Sequence, residues 1–399
     1  MALQKITADW IVPVTQPPVR NGVVILDPSG RILDLSDTSE HDPAGLQRYS
    51  GIIVPGLINT HCHLELSHMR GVAPTGTGLL EFIRTVVTSR DTASADVIQQ
   101  AISDAEDEMH AEGIVAVGDI ANRPDTIRQK DRGRLRYYTF AECFDFLRDE
   151  EAVRALAEFR PAFDHLHPVA GGQKSLVPHA PYSVSPTLFR LLREVMSGPR
   201  ATISIHNQET AGENELFQHG GGPIPAFYDR IQRPLQDFVP LGQTAIHYAM
   251  AHLDPDHRTL FVHNTQTTRE DIQAARAWSE HIYWATCPNA NLYIENRLPD
   301  YKAFVECDAT MTIGTDSLTS NWQLSVLEEM KTIQRLNSYL STETLVRWAT
   351  WNGACALGFD RELGSIEKGK APGLVHIDVD PEDWRLTPST SARLVVSHH

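Results

Sequence analysis

The sequence predicts an α/β fold: a (β/α)₈ TIM-like barrel with a small β-sandwich built from both chain termini. Eight short apolar segments alternate with helical or long polar connections through the middle of the chain. These segments are continuously apolar, which indicates strands buried on both faces, as in a parallel sheet. Short strand-like segments separated by glycine and proline occur at both ends of the chain.

The β-sandwich is expected from the two ends of the chain. The first fifty residues contain ADWIVPVT, NGVVILDPSG and RILDLSD, which are typical of short strands joined by turns. Near the other end, GSIEKGKAPGLVHIDVD has the pattern turn, strand, turn. We therefore expect residues 1–52 and 364–399 to form a composite β-sandwich domain, and residues 53–363 to form the catalytic barrel.

The eight barrel strands are expected in order in GIIVPGLIN, GIVAVGDI, RYYTFAEC, KSLVPHA, ATISIHNQE, RTLFVHN, HIYWATC and ATMTIGTD. Helical patterns follow several of them, for example over residues 79–88, 95–112 and 150–159. A long insertion follows strand five and includes residues 216–242. It is either a lid over the site or a contact between copies of the chain in a homo-oligomer.

Composition excludes several function classes. The net charge of −16 argues against a nucleic-acid partner or an anionic membrane surface, since both need a basic face. No apolar run has the length of a membrane span, and the first ten residues lack the pattern of a signal peptide. The five cysteines are widely spaced without a Cys-x-x-Cys pair, which predicts free thiols in a cytoplasmic protein and excludes a zinc knuckle.

Potential metal ligands stand where the predicted strands end. Active sites of (β/α)₈ barrels lie at the carboxyl ends of the strands. Five of the eight predicted strands end in a residue able to bind a metal: His61 and His63, His179, His206, His263 and Asp316. Single core histidines are more often satisfied by hydrogen bonds, but this grouping at strand ends favours a shared metal site.

The His-x-His pattern of strand one is weak evidence by itself. The chain has 18 histidines, so one such pattern is expected by chance, and His165–His167 provides a second. That second pair precedes a proline in a connecting segment and is expected to lie on a surface loop. In strand one, alternation places His61 and His63 on one face and turns Cys62 away into the packing.

The donor set suits hydrolytic chemistry. His61, His63, His206 and Asp316 form a His₃Asp set for one Zn²⁺ or Fe²⁺ with an open position for water. Such an ion lowers the pKa of its water to near neutrality. Glu209, three residues after His206, is a candidate proton carrier, and His263 is a candidate to hold the same water.

Six ordered segments resemble the amidohydrolase superfamily, and within it the cytosine deaminase and chlorohydrolase-like branch. They are PGLINTHCHLE, PHAPYSVSP, HNQET, CPNANLYI, GTDSLTSN and GSIEKGKAPGLV, and together they span nearly the whole chain. The resemblance implies the same four ligands, catalytic roles for Glu209, His263 and Asp316, and a substrate contact for His179. It also implies hydrolysis of a C–N bond in an aminated N-heterocycle with release of ammonia.

One departure from the superfamily favours a single metal. Binuclear members usually carry a bridging lysine at the end of strand four. Here Lys174 begins that strand and His179 ends it.

Four further residues near the expected mouth of the barrel are candidates for substrate binding. Tyr182 and Trp322 can stack on a planar ring or simply pack, and Ser320 either contacts substrate or shapes its loop. Glu65 either binds a ring N–H or sugar hydroxyl or lies in a solvated loop. The segment HCHLELS is similar to the strand-one motif of aminodeoxyfutalosine deaminases, whose substrate joins an adenine, a ribose-like ring and a benzoate.

We therefore expect a mononuclear metal-dependent deaminase of a small purine- or nucleoside-like heterocycle. Two alternatives remain at this point. One is a hydrolase of the same fold that expels chloride or opens a cyclic amide. The other is a non-catalytic protein on a relic barrel, which loss of a ligand or of Glu209 would favour; neither is lost.

Overall fold

A computed structural model describes residues 3–235 and 238–397. Within them, the strands are β1 Gln4–Thr7, β2 Trp10–Ile11, β3 Val19–Arg20, β4 Gly22–Leu26, β5 Ile32–Asp37, β6 Gln47–Arg48, β7 Ile52–Pro55, β8 Leu57–Cys62, β9 Ile114–Ala121, β10 Arg136–Cys143, β11 Gln173–Pro178, β12 Thr202–Asn207, β13 Arg258–His263, β14 Ile282–Thr286, β15 Met311–Ile313, β16 Leu374–Ile377 and β17 Ala392–Val396.

The helices of the same residues are α1 Leu79–Ser89, α2 Ala95–Ala111, α3 Ile127–Lys130, α4 Ala152–His165, α5 Pro186–Val195, α6 Ala211–His219, α7 Pro223–Arg230, α8 Ala245–His252, α9 Arg269–Trp278, α10 Pro288–Glu295, α11 Tyr301–Glu306, α12 Val326–Leu336, α13 Thr342–Arg347 and α14 Gly353–Leu357. A π-helical turn, Trp348–Asn352, joins the last two. Among the described residues, no helix combines the length and apolar character needed to cross a membrane.

The central strands form two four-stranded parallel sheets, β8 to β11 and β12 to β15, each in chain order. The sheets meet at both edges. The backbone N–H of His206 donates to the carbonyl of His179 at 2.9 Å, and those of Thr315 and Asp316 donate to the carbonyl of His61 at 3.0 Å. The predicted α/β class is confirmed, and the carboxyl ends of β8, β11, β12 and β15 converge.

The segment GIIVPGLIN was predicted as one strand, and this is wrong. It divides at Gly56 into β7, which pairs with β16 and β2, and β8, which pairs with β9. A Cβ atom at Gly56 would lie 2.4 Å from a methyl group of Val115, so only glycine fits this close approach. The strand that carries the first two histidines therefore begins at Leu57.

Both ends of the chain contribute to the two remaining sheets, whose strand orders are β5-β4-β1-β6 and β17-β16-β7-β2-β3. Ile6 and Leu26 from the first sheet share a buried apolar cluster with Ile11, Ile53 and Leu374 from the second. Strands β1 and β17 were not predicted, because both are short and only partly buried and so lack a clear apolar pattern.

Helix α5 shows how sequence determines an element beside the site. The Ser185 side chain accepts a hydrogen bond from the backbone N–H of Leu188 at 3.2 Å, and Pro186 occupies the first helical position. Leu188, Phe189 and Leu192 lie on the buried face of the helix and join the central core. The helix thereby fixes the segment that follows β11 and carries Tyr182.

Candidate active site

The predicted ligands and the catalytic candidate His263 lie at the carboxyl ends of their strands. His61 is in β8, His206 is in β12, and His263 is the last residue of β13. His263 and Asp316 have positive φ angles of 73° and 57°, a left-handed conformation that is uncommon for residues other than glycine. Such backbone strain is concentrated at functional sites, where the surrounding structure maintains it.

Three donor atoms converge as they would around one metal ion. The Nε2 atoms of His61 and His63 are 3.2 Å apart, and Oδ1 of Asp316 lies 3.5 Å and 3.3 Å from them. Two atoms bound at about 2.0–2.1 Å to a tetrahedral Zn²⁺ are separated by about 3.3 Å. Donor atoms of His61, His206 and His263 also lie within 4.8 Å of one another. His61, His63 and Asp316 therefore fit a single ion, and a donor atom of His206 lies close to one of His61.

The protonation of His61 and His63 suits this role. Burial lowers the pKa of His61 and of His63 to about 4, so both imidazoles are neutral, as ligands must be. Nδ1–H of His206 donates to the carbonyl of His179 at 2.9 Å, so Nε2 is the nitrogen available to a metal ion. Burial alone would lower the pKa of His206, but the carboxylate of Glu142, 3.2 Å from Nδ1, raises it to about 9, so a metal ion has to displace a proton from this imidazole.

A hydrogen bond from Ser320 fixes the carboxylate of Asp316. The hydroxyl of Ser320 donates to Oδ2 at 2.6 Å, while Oδ1 faces the histidines. Burial opposes ionisation of this carboxyl, but its contacts with His61 and His63 hold its pKa well below the usual range. Ser320, predicted to bind substrate, is fully buried and contacts Asp316 instead of lining the cavity.

Glu209 and His263 face each other beside the ligands. Oε2 of Glu209 lies 3.7 Å from Nε2 of His263, and burial raises the pKa of the carboxyl to about 8. Nδ1–H of His263 donates to Oδ1 of Asn291 at 2.8 Å, which directs Nε2 toward Glu209. Asn291 was not predicted as a site residue, although it lies in the segment CPNANLYI.

A cavity of about 180 Å³ opens above these groups. Its floor is polar and consists of the site residues His63, Glu142, His179, His206, Glu209, His263 and Asp316. Its walls are mainly apolar and come from α1, the loop after β10, the segment after β11, and α7: Leu79, Phe82, Ile83, Val86, Val87, Phe144, Phe146, Tyr182, Phe227 and Tyr228. The arrangement suits a ligand that presents a polar ring edge to the floor and an apolar group to the walls.

The other predicted substrate residues divide into two groups. His179 and Tyr182 line the cavity. Glu65 does not: it is buried and accepts hydrogen bonds from the Arg90 guanidinium at 2.8 Å and from two backbone N–H groups at 3.0 Å. Trp322 is 54% exposed and packs against Tyr293, also away from the cavity lining.

Glu142 is a floor residue that sequence reasoning missed. It lies near the carboxyl end of β10, and its Oε1 atom is buried without a hydrogen-bond partner among the described residues. Burial disfavours its charge, but His179 and His206 hold its pKa below the ordinary value. The signal was available, since a carboxylate at the end of RYYTFAEC satisfies the same strand-end criterion as the histidines.

The residues predicted to lie outside the site do so, but the expected loop position of His165 is wrong, because this residue belongs to helix α4. His165 ends α4 and its Nδ1–H donates to the carbonyl of Pro161, while His167 is exposed. Cys62 is fully buried in the central core. The ammonium of Lys174 donates to the carbonyls of Phe163 and Leu166, at the amino end of β11.

Comparisons with known proteins identify deaminases that are similar to this chain. A 5-methylthioadenosine/S-adenosylhomocysteine deaminase of Saccharophagus degradans is 26% identical, over 94% of this chain and 82% of that protein. An aminodeoxyfutalosine deaminase of Deinococcus radiodurans is 28% identical, over 80% and 76%. The structure of Helicobacter pylori aminofutalosine deaminase with methylthio-coformycin aligns with a TM-score of 0.77 and 22% identity, over 93% and 91%.

The sequence profile of the amidohydrolase family matches residues 52–396, a range that includes every ligand and catalytic candidate described above. The chain therefore belongs to the amidohydrolase family, whose members are metal-dependent hydrolases.

Proposed function

We propose that this protein is a hydrolytic deaminase that uses one Zn²⁺ or Fe²⁺ held by His61, His63, His206 and Asp316. The observation that carries the proposal is the convergence of His61, His63 and Asp316 beside a cavity that is also lined by His206, Glu209 and His263. The deaminase names of the relatives support the reaction type. When bound, the ion supplies hydroxide near neutral pH by lowering the pKa of a coordinated water.

Side chains of the protein carry out the proton transfers. Glu209 donates a proton to the ring nitrogen next to the amino-bearing carbon, which makes that carbon electrophilic. Asp316 and His263 orient the attacking water and accept its proton. The amino group leaves as ammonia after a second proton transfer, and the ring retains a carbonyl. Asn291 keeps His263 in the tautomer that this role requires, through the 2.8 Å hydrogen bond to Nδ1.

We propose an adenosine-like substrate with an apolar or aromatic 5′ substituent. The apolar walls from α1 and α7 support such a group, since little on them offers a hydrogen bond. Arg90 is a cation at the cavity edge, but one of its nitrogens is already paired with Glu65. His179 and Tyr182 are proposed to contact the ring, and the relatives act on methylthioadenosine or aminodeoxyfutalosine by name.

The single-ion proposal rests on Lys174 and His179. Lys174 donates to backbone carbonyls at the amino end of its strand, so it does not supply a bridging group at the carboxyl end. His179 stands there instead.

For the architecture we propose that the two parallel sheets close into a (β/α)₈ barrel of residues 53–363. The contacts between the ends of β11 and β12 and between β8 and β15 support closure. Residues 1–52 and 364–399 are proposed to form a β-sandwich, supported by their shared apolar cluster, with β7 as the strand that enters it from the barrel side. Five free cysteines support a cytoplasmic location.

The test is ammonia release from a panel of adenosine, 5′-methylthioadenosine, S-adenosylhomocysteine and aminodeoxyfutalosine, using protein loaded with Zn²⁺ or Fe²⁺. We expect ammonia with at least one of them. Chloride release from a chlorinated heterocycle, or opening of a cyclic amide without ammonia, would contradict the deaminase assignment.

A variant then tests the proton carrier. Glu209→Gln should retain the metal and lower turnover by about 10²–10⁴-fold, because the amide cannot donate the proton in place of the carboxyl. Metal content is measured by elemental analysis beside the ammonia assay. Glu215→Gln, on the following helix and outside the cavity lining, is the matched control. Near-normal turnover of Glu209→Gln would rule out the assigned role.

A further inference from the structure

A second cavity lies at the opposite ends of the strands from the proposed metal site. It has a volume of about 520 Å³. Arg136 and Arg258, the first residues of β10 and β13, line it together with Arg200, which precedes β12. The segment after α14 closes its rim with Asp360, Arg361 and Glu362. The cavity shares no lining residue with the catalytic cavity.

The guanidinium groups of this cavity are only partly engaged by the protein. Arg258 donates from Nε to the Thr202 hydroxyl at 2.9 Å and from one terminal nitrogen to the carbonyl of Arg200 at 3.3 Å. Each guanidinium has five N–H donors, so donors remain. Arg136 pairs with Glu362 at 2.8 Å, and its buried Nε has no hydrogen-bond partner among residues 3–235 and 238–397.

The cavity carries an excess of positive charge in an acidic protein. Four arginines face two carboxylates, Asp360 and Glu362, which leaves two positive charges uncompensated. Within the described part of the chain, Arg200, Arg258 and Arg361 have no carboxylate within ion-pair distance. The whole chain carries a net charge of −16, so general surface composition does not account for this concentration of arginine.

We propose that this cavity binds a small phosphate monoester. Guanidinium groups bind phosphate oxygens in pairs with matched geometry, and a phosphate monoester carries close to two negative charges above its second pKa of about 6. That charge matches the net charge of +2 of the four arginines and two carboxylates that line the cavity. The volume lies within the usual range of about 300–1,000 Å³ for small-ligand sites, so an organic group fits beside the phosphate.

A glycine leaves room for the guanidinium of Arg258 on the cavity wall. Gly358 directly follows α14 with φ of +68°, and a Cβ atom there would lie 2.5 Å from a terminal nitrogen of Arg258. Any larger residue would push this guanidinium out of its place on the cavity wall.

The experiment is isothermal titration calorimetry at pH 7.5 with ribose 5-phosphate as the probe and ribose as its uncharged match. We expect one molecule of ribose 5-phosphate to bind per chain and ribose to show no heat of binding. Neither probe has a base to deaminate, and Glu209→Gln protein should bind with the same affinity. Success or failure here is therefore separate from success or failure of the proposed deaminase activity.

Two variants should change the affinity for ribose 5-phosphate in opposite directions. Arg361→Gln should weaken binding about tenfold, because it removes one exposed guanidinium without breaking an internal ion pair. Glu362→Gln should strengthen binding several-fold, because it frees Arg136 and raises the net charge of the cavity. Arg128→Gln, an exposed arginine on α3 outside the cavity, is the matched control and should bind like the wild type.

The outcomes against the proposal are equally specific. Equal affinities for Arg361→Gln, Glu362→Gln and Arg128→Gln would overturn it. Tighter binding of citrate than of ribose 5-phosphate would overturn the assignment of a phosphate ligand, since the site would then be one for carboxylates.

Discussion

The two ends of the parallel strands differ in the burial of their charged side chains and in the partners of those side chains. At the carboxyl ends, His206 and His263 lie with carboxylates on the floor of an apolar cavity and are nearly inaccessible to solvent. At the amino ends, Arg200 and Arg258 line an open polar cavity and bond mainly to backbone carbonyls and a hydroxyl. Burial among apolar groups shifts the pKa values of histidines and carboxylates, which suits them to proton transfer. Arginines in an open cavity stay charged, which suits them to binding an anion.

Mutations at the two ends of the strands should therefore have different effects. Changes at the carboxyl ends should reduce turnover and leave binding of ribose 5-phosphate unchanged. Changes at the amino ends should do the reverse.

The largest effect is expected from Asp316→Ala. The variant loses a ligand and a proton acceptor, and turnover should fall by about four orders of magnitude or more. Ammonia release and bound metal are the measurements, and Asp308→Ala, whose carboxylate is 89% exposed, is the control. Loss of ribose 5-phosphate binding in the same variant would break the separation between the two ends.

Next in size is the effect of Glu65→Ala on stability. The variant leaves Arg90 and two backbone N–H groups without their buried acceptor, so the free energy of unfolding should fall by about 3–5 kcal/mol. Urea unfolding measures it, with Glu81→Ala, an exposed pair with Arg84, as the control. Unchanged stability together with a raised KM would instead assign Glu65 to substrate binding.

Asn291→Ala should have an intermediate effect. Without the acceptor for Nδ1–H, His263 can adopt the wrong tautomer, and kcat should fall about 10–100-fold with little change in KM. Asn291→Asp keeps an oxygen at this position and should recover part of the activity. Equal losses in both variants would show that Asn291 acts through packing alone.

The smallest effect is expected from Trp322→Ala. The side chain is largely exposed and outside the cavity lining, so turnover and KM should stay within about twofold and stability within about 0.5 kcal/mol. A tenfold rise in KM would place Trp322 against the substrate in the working enzyme.

Sequence reasoning identified residues of metal-binding type that directly follow or end buried strands. His61, His206 and Asp316 could be predicted because metal-ligand types follow buried strands in order. Asn291 could not be assigned, because its role depends on a hydrogen bond between separate elements. Glu65 illustrates the same limit. Its proximity to His63 in sequence predicted a position at the mouth of the site, but its side chain forms an ion pair with Arg90, which lies beyond α1.

The amino-end cavity had no sequence signal at all. Arg136, Arg200 and Arg258 are far apart in the chain, and isolated arginines are ordinary surface residues. Only the register of the parallel strands brings their starts to one place. The short strands β1 and β17 were missed for a related reason, since their pairing partners, not their own patterns, define them.

The division of the chain at Gly56 has a consequence for synthesis on the ribosome. Strand β7 pairs with β16, with Ile52 opposite Ile377, so the strand just ahead of the first histidines waits for almost the last residues to be translated. Pairings between such distant segments form slowly and leave apolar edges exposed meanwhile. A nascent chain stalled before β16 could pair β7 with β2 on one side only, so chaperone binding would be expected to concentrate on the other, unpaired edge of β7.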